Sequence, residues 1–60
     1  MYLMTYKTPN ESVFIEIHHN RAEVFFSDDR KPMNFYAFEN IGEIAEEIGV
    51  DPYELILVND

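Results

Sequence analysis

Acidic residues recur at helical spacing in the second half of this chain. Glu39, Glu43 and Glu47 follow one another at intervals of four, and Glu46 stands three positions after Glu43. Residues three or four apart lie on the same side of an α-helix, so these carboxylates would crowd together on one surface. Like charges at this spacing cost about 0.2–0.5 kcal/mol per pair, and no lysine or arginine is interleaved to relieve them. Such a group of carboxylates attracts cations and basic protein surfaces.

Charge is distributed unevenly along the 60 residues, whose formal net charge is −8. All four lysine and arginine residues lie within residues 1–31, whereas residues 32–60 hold seven of the twelve acidic residues and no basic one. An acidic half of this kind repels nucleic acid and anionic membranes, so we expect neither to bind directly. No apolar run approaches the roughly 20 residues that span a bilayer, and the first residues do not resemble a signal peptide. We expect a cytoplasmic protein.

A second group of polar residues has the types that bind metal ions. His18 and His19 are adjacent, and Glu16 and Glu23 lie close to them in the sequence. Successive side chains of a β-strand point to opposite faces, so the two histidines cannot hold one ion together. His18, Glu16 and Glu23 share a face and could in principle form a weak metal site, but we expect His18 to pair with Glu23 across a hairpin instead. We predict no metal site and no other cofactor.

The residue patterns of a catalytic site are absent from the sequence. Ser12 and Ser27 have no accompanying base and acid, no glycine-rich phosphate loop is present, and there is no cysteine. A domain of this size also has little room for a substrate pocket, which usually occupies about 300 Å³ or more. We predict that the protein is not an enzyme.

The acidic residues need a helix to position them, and the sequence indicates where that helix begins and ends. Asn40 is a favourable N-cap, and Glu43 stands where it completes a capping box. Gly49 is the residue type that ends many helices in a left-handed conformation. Between these signals runs an apolar stripe at spacings of three and four, formed by Ile41, Ile44, Ala45 and Ile48. This pattern predicts a helix over residues 40–48 with one buried side.

Alternating apolar residues predict β-strands before the helix. The predicted strands cover residues 2–8, 12–19, 22–28 and 33–38. Residues 51–60 fit two interpretations, of which we favour the first. One is a short helix that begins at the Asp-Pro pair, and the other is a final strand over the apolar residues that follow.

The second and third predicted strands should form a hairpin. A two-residue turn at residues 20–21 pairs Ile17 with Val24 and keeps one face wholly apolar. The other face then carries Phe14 and Phe25, two aromatic side chains that one small helix cannot also cover. We expect them to lie under a further strand, at a dimer interface or in a binding patch.

Together these elements predict a single α+β domain over residues 1–60. We expect a small antiparallel sheet of three to four strands, with one helix packed on one face and a short C-terminal helix or strand. The expected core consists of Val13, Ile15, Ile17, Val24, Phe26, Phe35, Ile41, Ile44, Ala45, Ile48 and Leu55. Small domains often gain stability by oligomerisation, so a homodimer is a further expectation.

One stretch resembles the core of the helix-turn-helix family: Ala45 precedes Gly49 by four residues within IGEIAEEIGVDPYELILV. The resemblance implies that a second helix would enter the major groove of DNA. The positions that would face DNA include Asp51, Tyr53 and Glu54, whereas DNA affinity depends mainly on basic residues that neutralise phosphates. We therefore interpret the spacing as packing around a glycine corner.

In size and charge the protein is similar to the small acidic DNA-mimic proteins that phages use against host enzymes. We predict a non-enzymatic inhibitor or regulator that binds a basic protein surface, such as that of a nucleic-acid enzyme. The residues expected to bind the partner are Glu39, Glu43, Glu46, Glu47, Asp51, Glu54, Tyr36, Tyr53, Phe14 and Phe25. The alternative is a structural or assembly module that dimerises or docks through the aromatic face of the sheet.

Overall fold

The computed structural model describes residues 2–28 and 31–58 of the chain. The elements of this part are, in order, β1 Tyr2–Lys7, β2 Val13–His18, β3 Ala22–Phe26, β4 Met33–Phe35, α1 Ile41–Ile48, the 3-10 turn Pro52–Glu54 and β5 Ile56–Leu57. All strands belong to one antiparallel sheet in the order β4-β3-β2-β1-β5. The predicted α+β class is confirmed, and the sheet has five strands where three to four were predicted.

The additional strand arises because residues 51–58 follow both sequence interpretations in succession. Asp51 caps the 3-10 turn, since its carboxylate accepts a hydrogen bond from the Tyr53 N–H at 3.0 Å. From Leu55 the backbone is extended again, and Leu57 pairs with Tyr6 of β1. The helix-start signal therefore produces only a single 3-10 turn, and the apolar residues after it pair with the edge of β1.

The β2–β3 hairpin forms, but its turn lies one residue before the predicted position. The N–H of His18 donates to the carbonyl oxygen of Arg21 at 2.7 Å, so the turn consists of residues 19–20. Each residue of β3 consequently pairs two positions earlier in β2 than predicted, and Val24 lies opposite Ile15. A shift of two residues leaves every side chain on its predicted face, because side chains alternate with a period of two. Apolar alternation could not distinguish the two registers, and the predicted pairing was wrong.

The observed register has two advantages over the predicted one. It extends the ladder past the strand ends, where the Ser27 N–H donates to the Ser12 carbonyl oxygen at 2.9 Å. It also places Phe14 directly opposite Phe25. Cross-strand aromatic pairs contribute about 0.2–1 kcal/mol relative to alanines, which favours this alignment.

One apolar cluster joins α1 to β2 and β3. Its buried centre is formed by Val13, Ile15, Ala22, Val24 and Ile44. Partly buried side chains packed against this centre are Tyr6, Ile17, Phe26, Phe35, Phe38, Ile41, Ile48, Val50 and Leu55. The predicted core residues all belong to this cluster, except Ala45, which is itself fully buried. The structure adds Ala22, which the sequence placed on the apolar face of the hairpin but not in the core.

The start and end of α1 follow the predicted signals. The Asn40 side chain accepts a hydrogen bond from the Glu43 N–H at 3.2 Å, as an N-cap does. Gly49 is left-handed, with φ of 81°, and the Val50 N–H donates to the Ala45 carbonyl oxygen at 2.8 Å. The Gly49 N–H donates to the Glu46 carbonyl oxygen at 3.2 Å, and these two bonds together define a Schellman ending. No helix in the described part of the chain has the length and apolar character needed to cross a membrane.

Thr8 organises the loop between β1 and β2. Its hydroxyl accepts the backbone N–H groups of Ser12 and Val13 at 3.1 and 3.2 Å, and donates to the Asn10 side-chain oxygen at 2.9 Å. Glu11 takes a left-handed conformation with φ of 60°. This polar loop stands near the end of α1, where it forms part of the site described below.

Candidate functional site

Carboxylates cluster on an exposed region around α1, which we call the acidic face. It consists of Glu39, Glu43, Glu46, Glu47, Asp51 and Glu54, all of them exposed. Packing explains this exposure, because α1 buries Ile44 and Ala45 and leaves its glutamates in solvent. The 3-10 turn, which carries the last two acids, contacts α1, so the two acidic groups are neighbours.

Between described residues, no ion pair neutralises the acidic face. Every ion pair between described residues lies in the β1–β2 loop or on the β2–β3 hairpin, and none includes a member of the acidic face. Glu46 and Glu47 also occupy the last turn of α1, where the negative end of the helix dipole disfavours acids. The charge of this face therefore reduces the stability of the helix that carries it.

Two members of the acidic face also have local roles at the start of a helical segment. Asp51 caps the 3-10 turn. Glu39 precedes the N-cap Asn40 and so lies outside the helix, near the positive end of its dipole, where an acid is stabilising. The predicted helical repulsion between Glu39 and Glu43 is therefore wrong, whereas Glu43 and Glu47 do lie one turn apart.

Two tyrosines present almost complete rings to solvent. Tyr53 is 97% exposed and stands in the 3-10 turn between Asp51 and Glu54, within the acidic face. Tyr36 is 72% exposed and follows β4, an outer strand of the sheet. Interface energy often concentrates in such aromatic side chains. Of the two, Tyr53 lies in the better position to act together with the carboxylates.

A cleft of about 450 Å³ lies between the acidic face and the β1–β2 loop. Asp51 and Glu54 contribute to one side, and Thr8, Asn10 and Ser12 contribute to the other. The lining thus combines two carboxylates with neutral polar groups and contains no basic residue. A long cationic side chain fits these surroundings.

A second cleft, of about 320 Å³, opens beside the start of α1 and is lined mainly by apolar residues such as Met4, Ile17 and Phe38. The expectation that this domain has no room for a space of about 300 Å³ is therefore wrong. Neither lining includes a histidine or cysteine. Ser12, in the larger cleft, directs its hydroxyl to the Asn10 side-chain oxygen at 2.9 Å, so it has no adjacent general base.

Phe14 and Phe25 lie on the sheet face opposite the apolar core, which we call the outer face. Both rings are half-buried and pair directly across β2 and β3. Their row continues through Lys7 to Ile56 of β5, which is 44% exposed. Nine of the ten residues predicted to bind a partner therefore divide between two surfaces, the acidic face around α1 and the outer face of the sheet, whereas Tyr36 follows β4 and belongs to neither.

A cluster of Glu16, His18 and Glu23 shares the outer face. Glu16, and not His18, lies directly opposite Glu23, so the predicted register is wrong here, but the His18 side chain does approach Glu23 across the hairpin as predicted. The Nε2 atom of His18 is 3.3 Å from a Glu16 oxygen and 3.6 Å from a Glu23 oxygen. Arg21 donates two hydrogen bonds to the other Glu23 oxygen, at 2.7 and 3.2 Å. These bonds, and the arginine charge, hold the pKa of Glu23 below its usual value of 4.5.

Comparisons with protein-family models, with curated proteins and with solved structures find no match.

Sequence reasoning missed Arg21 as a member of the histidine–glutamate cluster, because it assigned this residue to the turn. The available signal was the spacing of two between Arg21 and Glu23, which places both side chains on one side of an extended segment. It also missed Thr8, whose hydroxyl builds the loop beside the larger cleft. The available signal was its position just before the Pro-Asn turn, because threonine hydroxyls at turns commonly bond to nearby backbone groups.

Proposed function

We propose that this protein is a non-enzymatic inhibitor or regulator that binds a basic protein surface, in the manner of a DNA mimic, through the acidic face. The observation that supports this most directly is that all six carboxylates are exposed and none is paired with a basic residue of the described chain. In this proposal α1 lies on one face of the sheet and holds its glutamates outward toward the partner. The partner is a basic surface of the kind that nucleic-acid enzymes use for their substrate.

Glutamates on a helix can take positions that phosphates would occupy. Glu43 and Glu47 are four residues apart, which corresponds to about 6 Å along the helix axis. Phosphates of one DNA strand follow at about 3.4 Å along the duplex axis, and the winding of the strand sets neighbours further apart than this rise, so the glutamate pair corresponds to neighbouring phosphates. The eight residues of α1 span about 12 Å, so the mimicry would replace a short stretch of one strand.

The larger cleft would receive a lysine or arginine side chain of the partner. Asp51 uses one oxygen to cap the 3-10 turn and retains its other oxygen, and Glu54 is exposed on the same wall. Tyr53 lies between them in the chain but outside the cleft lining, and its exposed ring can stack on a guanidinium group of the partner, an interaction of about 0.5–1 kcal/mol at an exposed site. The cleft thus supplies a specific contact that a diffuse negative charge would lack.

The test compares two variants that remove the same charge from different places. Glu43→Gln with Glu47→Gln removes two carboxylates from the acidic face, and Glu11→Gln with Asp28→Asn removes two exposed carboxylates elsewhere. Partners are first captured from a lysate at about 0.05 M salt and challenged at about 0.5 M, where exposed charges are screened. The affinity of each purified partner is then measured for both variants, with duplex DNA as competitor.

We expect the partner to be a nucleic-acid-binding protein that duplex DNA displaces. The helix variant should bind it at least about tenfold more weakly, which corresponds to about 0.7 kcal/mol per carboxylate. The matched variant should bind almost as well as the wild type. Equal losses in the two variants, or a complex that resists both salt and DNA, would contradict the proposal.

A second candidate function, a structural or assembly module, is favoured by the outer face of the sheet. There Phe14 pairs with Phe25 in a row that ends at the exposed Ile56, and these side chains offer apolar area to a second copy or to a larger complex. Light scattering over a range of concentrations tests for a dimer in the wild type and in Phe14→Ser, with Tyr36→Ser as a control exposed aromatic. Loss of a dimer or partner in Phe14→Ser, together with retention in Glu43→Gln/Glu47→Gln, would favour this function over the first.

A further inference from the structure

The outer face of the β2–β3 hairpin brings three metal-ligand side chains together. Glu16 and His18 are two residues apart on β2 and share a face, and Glu23 is the direct partner of Glu16 on β3. One ligand atom from each of the three lies within 4.8 Å of the other two. Two glutamates placed directly opposite in a sheet repel each other, so a cation between them would remove an unfavourable interaction.

The two histidine–glutamate distances in this cluster are close to those around a small tetrahedral ion. The Nε2 atom of His18 is 3.3 Å from the Glu16 oxygen and 3.6 Å from the Glu23 oxygen. Ligands about 2.0–2.1 Å from a tetrahedral zinc ion are separated from one another by about 3.3–3.4 Å. Only a small contraction is therefore needed for both histidine–glutamate pairs. Imidazole and carboxylate ligands together suit Zn²⁺ and its neighbours in the first transition row.

Arg21 holds one ligand in the orientation that metal binding requires. Its guanidinium group donates to Oε2 of Glu23 at 2.7 and 3.2 Å, which leaves Oε1 facing His18. Metal-binding carboxylates are commonly fixed in this way by a neighbouring donor. The ligand side chains are also shielded from bulk water, with exposures of 13% for His18, 18% for Glu23 and 31% for Glu16.

We propose that Glu16, His18 and Glu23 form a binding site for a divalent transition metal ion of the Zn²⁺ type. His18 binds through Nε2 and each glutamate binds through one oxygen, so a fourth tetrahedral position is left for water. The ion would tie β2 to β3 in a chain that has no cysteine for disulfides. Metal ions are one of the means by which domains of this size gain stability. This proposal does not depend on the acidic face.

The test titrates the full chain with Zn²⁺ by calorimetry and with Co²⁺ by visible absorption, which reports tetrahedral coordination. We expect one ion per wild-type chain. His18→Ala and Glu16→Gln should each weaken binding by about 10–100-fold or more. The matched control is His19→Ala, which removes the adjacent and exposed histidine and should leave the affinity unchanged. Circular dichroism verifies that each variant is folded.

Three results would overturn the proposal. The first is equal Zn²⁺ affinity in the wild type and His18→Ala. The second is a loss of Zn²⁺ affinity in His19→Ala that equals the loss in His18→Ala. The third is no binding at about 1 mM Zn²⁺, which corresponds to less than about 4 kcal/mol of binding free energy. Glu16→Gln keeps the shape of its side chain, so it distinguishes a lost ligand from a lost fold. Glu43→Gln/Glu47→Gln should bind Zn²⁺ like the wild type, which separates this site from the acidic face.

Discussion

Reversing one charge in α1 should stabilise the fold and weaken partner binding at the same time. Glu47 is exposed, lies in the last turn of the helix and stands four residues after Glu43. In Glu47→Lys a repulsive pair of about 0.2–0.5 kcal/mol becomes an attractive pair of similar size. Replacing an acid by a base at the negative end of the helix dipole adds about 0.3–1 kcal/mol or more. Together these changes should raise the free energy of unfolding by about 1–2 kcal/mol at low salt.

Thermal unfolding gives the most direct measurement of this gain. An unfolding entropy of about 2.1 cal/mol/K per residue amounts to about 0.13 kcal/mol/K for a chain of 60 residues. A stabilisation of about 1 kcal/mol should therefore raise Tm by about 8 °C. In about 1 M salt the Debye length falls to about 3 Å, so most of the increase should disappear.

The matched control is Asp28→Lys, which makes the same change in net charge at an exposed position outside the helix. An equal rise in Tm for this control would show that the total charge of the protein, and not the position in α1, limits stability. A Tm for Glu47→Lys at or below that of the wild type at low salt would refute the reasoning. Stabilisation by Glu47→Lys accompanied by weaker binding of the basic partner is the expected combination.

Three further predictions concern the core, the end of α1 and the hairpin cluster. Ile44→Ala truncates a side chain that is 1% exposed and should lower the free energy of unfolding in urea by about 2–5 kcal/mol, whereas Ile56→Ala, at 44% exposure, should cost much less. Gly49→Ala should lower the free energy of unfolding by about 1 kcal/mol, measured from Tm, because the left-handed φ of 81° is unfavourable for alanine. Steric contact should add nothing to this loss, since an added methyl group would meet no atom within 4 Å. Gly49→Asn should cost less, since asparagine tolerates this conformation. The Arg21 hydrogen bond lowers the pKa of Glu23, so the ionised carboxylate stabilises the fold. This stabilisation is fully present above the unfolded pKa of about 4.5, and it is lost as the pH falls through the lower pKa of the folded state. The stability difference between wild type and Glu23→Gln should thus shrink in acid, and a difference that stays constant from about pH 7 to about pH 3 would contradict this account.

The sequence predicted the local features of the fold well. The boundaries of α1 depend on side chains within one turn of each end, and both Asn40 and Gly49 have the capping roles that their residue types indicate. The faces of β2 and β3 also follow from alternation alone. The pairing of Val24 with Ile15 did not follow, because alternation is unchanged by a shift of two residues. The strand β5 was equally hard to predict, because its two residues become a strand only by pairing with distant β1.

The candidate site shows the same division between local and distant effects. Exposure of Glu43, Glu46 and Glu47 follows from the apolar stripe of their own helix, so it could be predicted. The histidine–glutamate cluster could not be predicted in detail, because it depends on which residue of β3 faces Glu16. The sequence placed Glu16, His18 and Glu23 on one face, but the register error of two residues placed Glu23 opposite His18, so the direct pairing of Glu16 with Glu23 was missed.

The strand β5 covers one edge of β1, where Leu57 pairs with Tyr6 and the Val58 N–H donates to the Thr5 carbonyl oxygen at 2.7 Å. A two-residue edge offers few backbone groups to another chain, whereas the six residues of β1 would offer a long template for strand addition. Proteolytic trimming or a premature stop just after Leu55 would uncover that template. β5 therefore shields the last three residues of β1, from Thr5 to Lys7, from strand addition by another copy.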